Sequence, residues 1–380
     1  MSSAQGNGST GLGDLTTAAS FGTLISGVMV LLIVGVQRLA RTIREIRATS
    51  YAKIPTSTDE ILINLQRAFL NIKGHKKNKE SVIRSILGWR ERKNAEGTKY
   101  PGSLVLHFAG TSGSGKSLMA DAIARGLSHN NPPIRVSASS VTKGSGLTVA
   151  EQLFLPQVID SPSAPYGKIT NYPPLYNQLI RNQNCVVQID EFEKLVEIDN
   201  TLIPLLWDVV DCGKIYAKND FFIQCENTIF ILTSNMSKES LGDNAEVIVD
   251  QDKQIKEDSS LLNKIWDQSF LNRIKTFYFD SLGEIEYMEI FRERFGMALD
   301  YYQKSFNIHI DMKEDIINHV AKKTAQYKSG GARNVDFVMN EFFTEMSRFK
   351  RENNITGLLS KPLNLVLKLE GDGFKVSRIS

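Results

Sequence analysis

Two periodicities alternate along most of this chain. Apolar positions spaced three and four apart mark amphipathic helices at residues 61–72 (ILINLQRAFLNI) and around 78–92, and LMADAIARGL at 118–127 repeats the pattern. Between such stretches lie short apolar runs rich in β-branched and aromatic residues: SLVLHF (103–108), PIRVSA (133–138), CVVQID (185–190), TIFILTS (228–234) and KTFYFD (275–280). Strands that alternate with helical pieces predict an α/β fold with a mainly parallel, five-stranded sheet. Their near-continuous apolar character predicts burial on both faces. From about residue 284 the pattern is helical until LNLVLKLE (363–370) and FKVSRI (374–379), which Gly371-Asp372-Gly373 joins. This predicts a small helical domain closed by a terminal β-hairpin. The boundaries read from the pattern are 61–281 for a large domain and 282–380 for a small one.

The first sixty residues follow neither rule. Residues 1–20 are small and polar, carry one charge at Asp14, and predict a disordered tail. FGTLISGVMVLLIVGV (21–36) follows, and no charge occurs between Asp14 and Arg38. An uncharged stretch of about 20 residues is long enough to cross a bilayer as a helix, so residues 21–37 are expected to be a transmembrane anchor. Arg38, Arg41, Arg44 and Arg47 lie on one side only. That asymmetry predicts a single-pass membrane protein with its N-terminus outside and the remainder on the cytoplasmic side. Residues 38–60 then read as a basic linker at the membrane face, with arginines able to touch anionic lipid.

Composition adds little. The formal charge is +3 over 380 residues, which gives no case for nucleic-acid binding. Cys185, Cys212 and Cys225 have neither C-x-x-C pairing nor His partners at metal spacing, so buried free thiols in a reducing compartment are expected, and no zinc site.

The chemistry is concentrated in three strand ends. Gly110-Thr111-Ser112-Gly113-Ser114-Gly115-Lys116-Ser117 fits G-x-x-x-x-G-K-[ST], directly after a predicted strand and before a predicted helix. Glycines there let backbone N–H groups close round phosphates. The helix N-terminus favours negative charge. Lys116 reaches the β- and γ-phosphates, and the Ser117 hydroxyl binds Mg²⁺. The run 185–190 ends in Asp190-Glu191. Asp190 is placed to hold Mg²⁺, and Glu191 to orient and deprotonate an attacking water. The next strand ends in Thr233-Ser234-Asn235, where the Asn235 amide can contact the γ-phosphate and the water. Together these predict an ATPase with ATP and Mg²⁺ as cofactors.

In order, IDEFEK (189–194), LLWDVVDCGKI (205–215), TIFILTSN (228–235), FLNRI (270–274) and GGAR (330–333) closely resemble the Clp family of protein-unfolding AAA+ ATPases, above all the C-terminal ATPase module of the disaggregases. The resemblance spans roughly residues 65–380. It implies an arginine finger at Arg273, acting on a neighbouring subunit, and a sensor arginine at Arg333 on the lid. It also implies an adenine pocket lined by Ile72 and Gly74. A homo-hexamer with a protein substrate follows from the same resemblance. In this family an aromatic pore loop grips polypeptide. Here the loop reads Ala164-Pro165-Tyr166-Gly167, so Tyr166 is the implied grip, with Tyr172 and Tyr176 as alternatives. Ser240-Leu241-Gly242-Asp243 departs from the tripeptide of protease-partnered members, so no barrel protease is expected. Two other readings stay open: a membrane-tethered replication helicase of viral type, and a non-threading remodeller in which ATP only switches assembly.

Overall fold

The computed structural model describes residues 53–379 except 129, 161–167, 217–221, 237–246, 250–267, 328–330 and 372. In chain order the helices are α1 Thr58–Phe69, α2 Lys76–Glu96, α3 Lys116–Leu127, α4 Val149–Leu153, α5 Pro174–Arg181, α6 Phe192–Ile198, α7 Leu202–Cys212, α8 Gln268–Leu271, α9 Glu284–Phe306, α10 Glu314–Ala325 and α11 Arg333–Glu352. The strands are β1 Leu104–Gly110, β2 Ile134–Ser137, β3 Gln157–Asp160, β4 Lys168–Asn171, β5 Val186–Asp190, β6 Lys214–Tyr216, β7 Phe222–Gln224, β8 Ile229–Thr233, β9 Val247–Val249, β10 Lys275–Phe279, β11 Ile308–Met312, β12 Leu363–Glu370 and β13 Gly373–Arg378.

The five strands expected from the apolar runs lie side by side as β2-β5-β8-β1-β10, all parallel, and the short β9 extends the sheet beyond β10. Their period of two sorts side chains onto two faces. Leu104, Leu106 and Phe108 of β1 join Ile229 and Ile231 of β8 under α1, α2 and α3, where Leu65, Val82, Met119 and Ile123 are buried. Val105 and Ala109 point the other way, with Val187, Ile189, Phe230 and Leu232, onto Leu153, Leu179, Phe192 and Leu206 of the opposite helices. Helices on both faces explain why these strands read as continuous apolar runs.

The small domain has its own core. Phe291, Phe295, Phe342 and Met346 are buried between α9 and α11, with Leu365, Leu367 and Val376 from the terminal strands. The expected hairpin β12–β13 forms antiparallel, and β11 adds to it in parallel. Two antiparallel pairs, β3–β4 and β6–β7, were not read from the sequence.

The expected single-pass membrane localisation, with the N-terminus outside and the ATPase domain cytoplasmic, is corrected. Among the described residues no helix is long and apolar enough to cross a membrane. The longest, α9 with 23 residues and α2 with 21, are interrupted by charge, as in KKNKESVIRSILGWRERKNAE, and exposed polar faces suit them to a domain surface. Residues 21–37 lie outside the described residues, as do the tail 1–20 and linker residues 38–52.

Candidate nucleotide site

Parallel strands aim their carboxyl ends at one edge, and the three sequence signals sit there. β1 runs into Gly110 and the loop, β5 ends at Asp190, and β8, which lies between them in the sheet, ends at Thr233. One cleft of about 290 Å³ is lined by Ser112, Gly113, Gly115, Lys116, Ser117, Asp190, Glu191, Thr233, Asn235 and Arg333. The structure thus brings together the phosphate loop, both acids, the strand-end asparagine and the lid arginine.

The loop geometry needs glycine at its root. Gly110 has φ +136°, and a Cβ there would lie 2.2 Å from the Phe279 carbonyl oxygen of the adjacent β10. Gly115 caps α3, so the first turn of that helix opens into the cleft. The Lys116 Nζ donates to the carbonyl oxygens of Gly110 and Thr111, both at 2.7 Å, and to Asn235 Oδ1 at 3.2 Å. Burial pushes its pKa down to about 8, while Glu193 and Asp190 pull it back up and Arg333 lowers it further. The Ser114 hydroxyl is buried and makes no hydrogen bond among the described residues.

Ser117 Oγ donates to Asp190 Oδ1 at 3.5 Å, and the Thr233 hydroxyl donates to the same carboxylate oxygen. A hydroxyl beside a carboxylate is the hard-oxygen donor set that suits Mg²⁺, which keeps waters and phosphate oxygens as its other ligands. No cluster of three His, Cys, Asp or Glu side chains with metal-holding geometry occurs among the described residues. The Ser117 hydroxyl and the Asp190 carboxylate fit a metal whose other ligands are waters and phosphate oxygens. Glu191 has φ +53° and ψ +46°, left-handed values that cost a non-glycine residue about 1–2 kcal/mol. This sharp turn carries the chain from β5 into α6 and sets the carboxylate at the strand end, where Lys194 pairs with it.

Arg333 is the first residue of α11, and the lid meets the phosphate loop through main chain. The Ala332 N–H donates to the Gly113 carbonyl at 3.0 Å. Ile72 and Gly74 line a separate cavity of about 550 Å³, with His75, Lys73, Asp280, Leu282 and Glu286. His75 links that cavity to the loop, because its Nε2 lies 2.7 Å from the Ser114 carbonyl and must carry the proton.

Arg273 does not join the cleft of its own chain. Its guanidinium lies 5.1 Å over the Trp207 ring, 3.7 Å from Asp211, and donates to the Ser269 carbonyl at 3.1 Å. Tyr166 and Ser240-Leu241-Gly242-Asp243 lie outside the described residues. Tyr172 and Tyr176 stack on each other at 5.3 Å. Cys185 and Cys225 are buried free thiols, and burial raises the Cys185 thiol to about 12.

Two site residues were not singled out in the sequence. Glu193, on the first turn of α6, is 9% exposed, and its Oε1 accepts from both the Asn235 N–H and Nδ2 at 3.2 Å. His107 is fully buried on β1, with Nε2 2.7 Å from Ser234 Oγ and Nδ1 3.2 Å from Thr276 Oγ1. Burial, with help from Lys116, lowers its pKa to about 3, so it ties β8 to β1 as a neutral ring. The only available signal was a histidine inside an otherwise apolar strand.

Comparison with known proteins agrees with this geometry. Residues 103–277 match the family described as AAA domain (Cdc48 subfamily). The chain is 26% identical over 307 residues to the chaperone protein ClpB of Malacoplasma penetrans, covering 78% of this chain and 39% of that protein. It is 28% identical over 211 residues to the ClpB of Bacteroides thetaiotaomicron, covering 53% of this chain and 23% of that one. A ClpA homolog protein of Fuscovulum blasticum is 26% identical over 167 residues, covering 42% of this chain and 20% of that protein. The chain thus spans well under half the length of these relatives.

Proposed function

From the premise that residues 103–277 are an AAA-type ATPase domain similar to that of the Clp chaperones, we propose that this chain is a motor that spends ATP to unfold or remodel protein substrates. One observation carries the reading: Lys116, Ser117, Asp190, Glu191, Asn235 and the lid residue Arg333 line a single cleft. Phosphoryl transfer to water is mostly positioning and charge stabilisation, and each need has a residue here.

Lys116 and the glycine loop hold the phosphates. Ser117 and Asp190 hold Mg²⁺, which neutralises phosphate charge when bound. Glu191 takes the proton of the attacking water once nucleotide entry draws it from Lys194. Arg333 joins ATP from the lid, so nucleotide state and lid position are coupled. Ile72 and Gly74 flank the base. Arg273 serves a neighbouring copy, and its absence from its own cleft supports a ring of several subunits; six is the number the Clp resemblance implies. Tyr166 grips the substrate in this scheme.

The test is capture by Glu191→Gln with ATP. The variant should bind ATP, assemble and retain unfolded polypeptide, with turnover abolished. Release of polypeptide at the parental rate, or ATPase stimulated by RNA or DNA and not by unfolded protein, would overturn the reading.

A further inference from the structure

Asn235 is held by two partners whose chemistry leaves its amide one orientation. Lys116 Nζ is a pure donor, so the oxygen 3.2 Å away must be Oδ1. Glu193 Oε1 takes a hydrogen bond from the Asn235 main-chain N–H, so the amide group also 3.2 Å from it is Nδ2. The same carboxylate oxygen therefore fixes both the end of β8 and the rotation of the side chain. Its other oxygen, Oε2, is buried and makes no hydrogen bond among the described residues. Burying a carboxylate with half its acceptors unused is costly, and what offsets that cost here is the pair of hydrogen bonds from Asn235 and the nearby Lys116 ammonium.

We propose that Glu193 is a positioning residue for ATP hydrolysis, acting through Asn235 by keeping the amide oxygen turned toward the cleft. This rests on the ATPase reading of the site. When phosphates draw Lys116 away, Oδ1 loses its donor while Nδ2 stays bound to Glu193. Asn235 then presents an acceptor beside the Glu191 carboxylate. Two acceptors take the two O–H bonds of a water, and its lone pair is left to face phosphorus. An amide free to rotate would present its NH₂ half of the time and turn that water away. Burial raises the pKa of Glu193 above the ordinary carboxylate range, as expected for an acid inside this layer.

The experiment is a double-mutant cycle in the full-length chain. Glu193→Met removes the acceptor at similar volume and removes the buried charge. It should lower kcat roughly 10- to 100-fold, as misplacement of a reacting group does, with KM for ATP within about threefold. In an Asn235→Ala background the same change should cost less than about twofold, because the residue it acts through is gone. Glu193→Gln retains one acceptor oxygen and should recover most of the lost kcat. Parental kcat in Glu193→Met, or equal losses in both backgrounds, would overturn the proposal. If Glu193→Met does not fold, Glu193→Gln decides alone: a loss as deep as that of Asn235→Ala refutes the orienting role. A parent that hydrolyses no ATP would instead sink the ATPase premise.

Discussion

Raising the pH should loosen nucleotide binding through Lys116. In the empty cleft its ammonium titrates at about 8, against an ordinary 10.5, because burial penalises the charge more than Glu193 and Asp190 favour it. Phosphates bind the protonated form. Affinity is therefore intact below that value and lost above it. If only the protonated amine supports binding, the apparent Kd scales inversely with the protonated fraction and rises about tenfold between pH 7 and pH 9. Stability of the empty protein runs the opposite way. The unfolded lysine keeps its proton to near 10.5 and the folded one releases it near 8, so folding becomes more favourable between those values and carries the full buried-charge penalty below them. The assay is titration of a fluorescent ADP analogue at constant ionic strength, with calorimetry in two buffers to count protons taken up on binding above pH 8. Lys116→Arg, whose guanidinium does not titrate in this range, should give a flat profile. A parental Kd constant within twofold across the range, or binding without proton uptake, would refute the reasoning.

Other predictions follow from single contacts. Gly331 has φ +50°, and an added Cβ would lie 2.3 Å from the Gly113 carbonyl oxygen, so Gly331→Ala should push the lid off the loop. Strain of about 1–2 kcal/mol corresponds to roughly tenfold weaker nucleotide binding, measurable by the same titration with an unchanged circular dichroism spectrum. Arg273→Ala removes an exposed side chain and should leave thermal stability within about 0.5 kcal/mol and ATP affinity intact, while turnover falls at least about 100-fold. Phe342 is fully buried against Phe295, Tyr302 and Phe374. Phe342→Ala should therefore destabilise the small domain by about 3–5 kcal/mol in urea titrations followed by fluorescence.

What could be read from the sequence divides by how local its cause is. The sheet was legible because burial on both faces writes an apolar run into each strand. The phosphate loop was legible because backbone cradling demands glycines at fixed spacing. The pair β6–β7 was not, since KIY and FIQ are three residues each and alternate buried and exposed. β11 reads IHIDM, and its pairing with β12 joins positions such as Ile308 and Leu363 that are distant in the chain. Glu193 looks like any helix-surface acid, and only the packing of α6 against the end of β8 buries it. Arg273 was found through resemblance, and its local partners Trp207 and Asp211 carry no trace of a distant task. The apolar run at 21–36 shows the reverse: a strong local signal led to an expected membrane localisation, whereas among the described residues, which do not include that run, no helix is long and apolar enough to cross a membrane.

The contact between Ala332 and Gly113 joins peptide groups, with no side chain between them. Mutational drift can rewrite the faces of α11 and still leave that link intact, because every amino acid but proline brings the same N–H. The junction is thus robust to most point changes and fragile to a few: a proline at Ala332, a bulkier residue in place of Gly331, or an insertion that shifts the register of the lid. A lineage could retune what the small domain touches on its outer surface without losing its grip on the nucleotide loop.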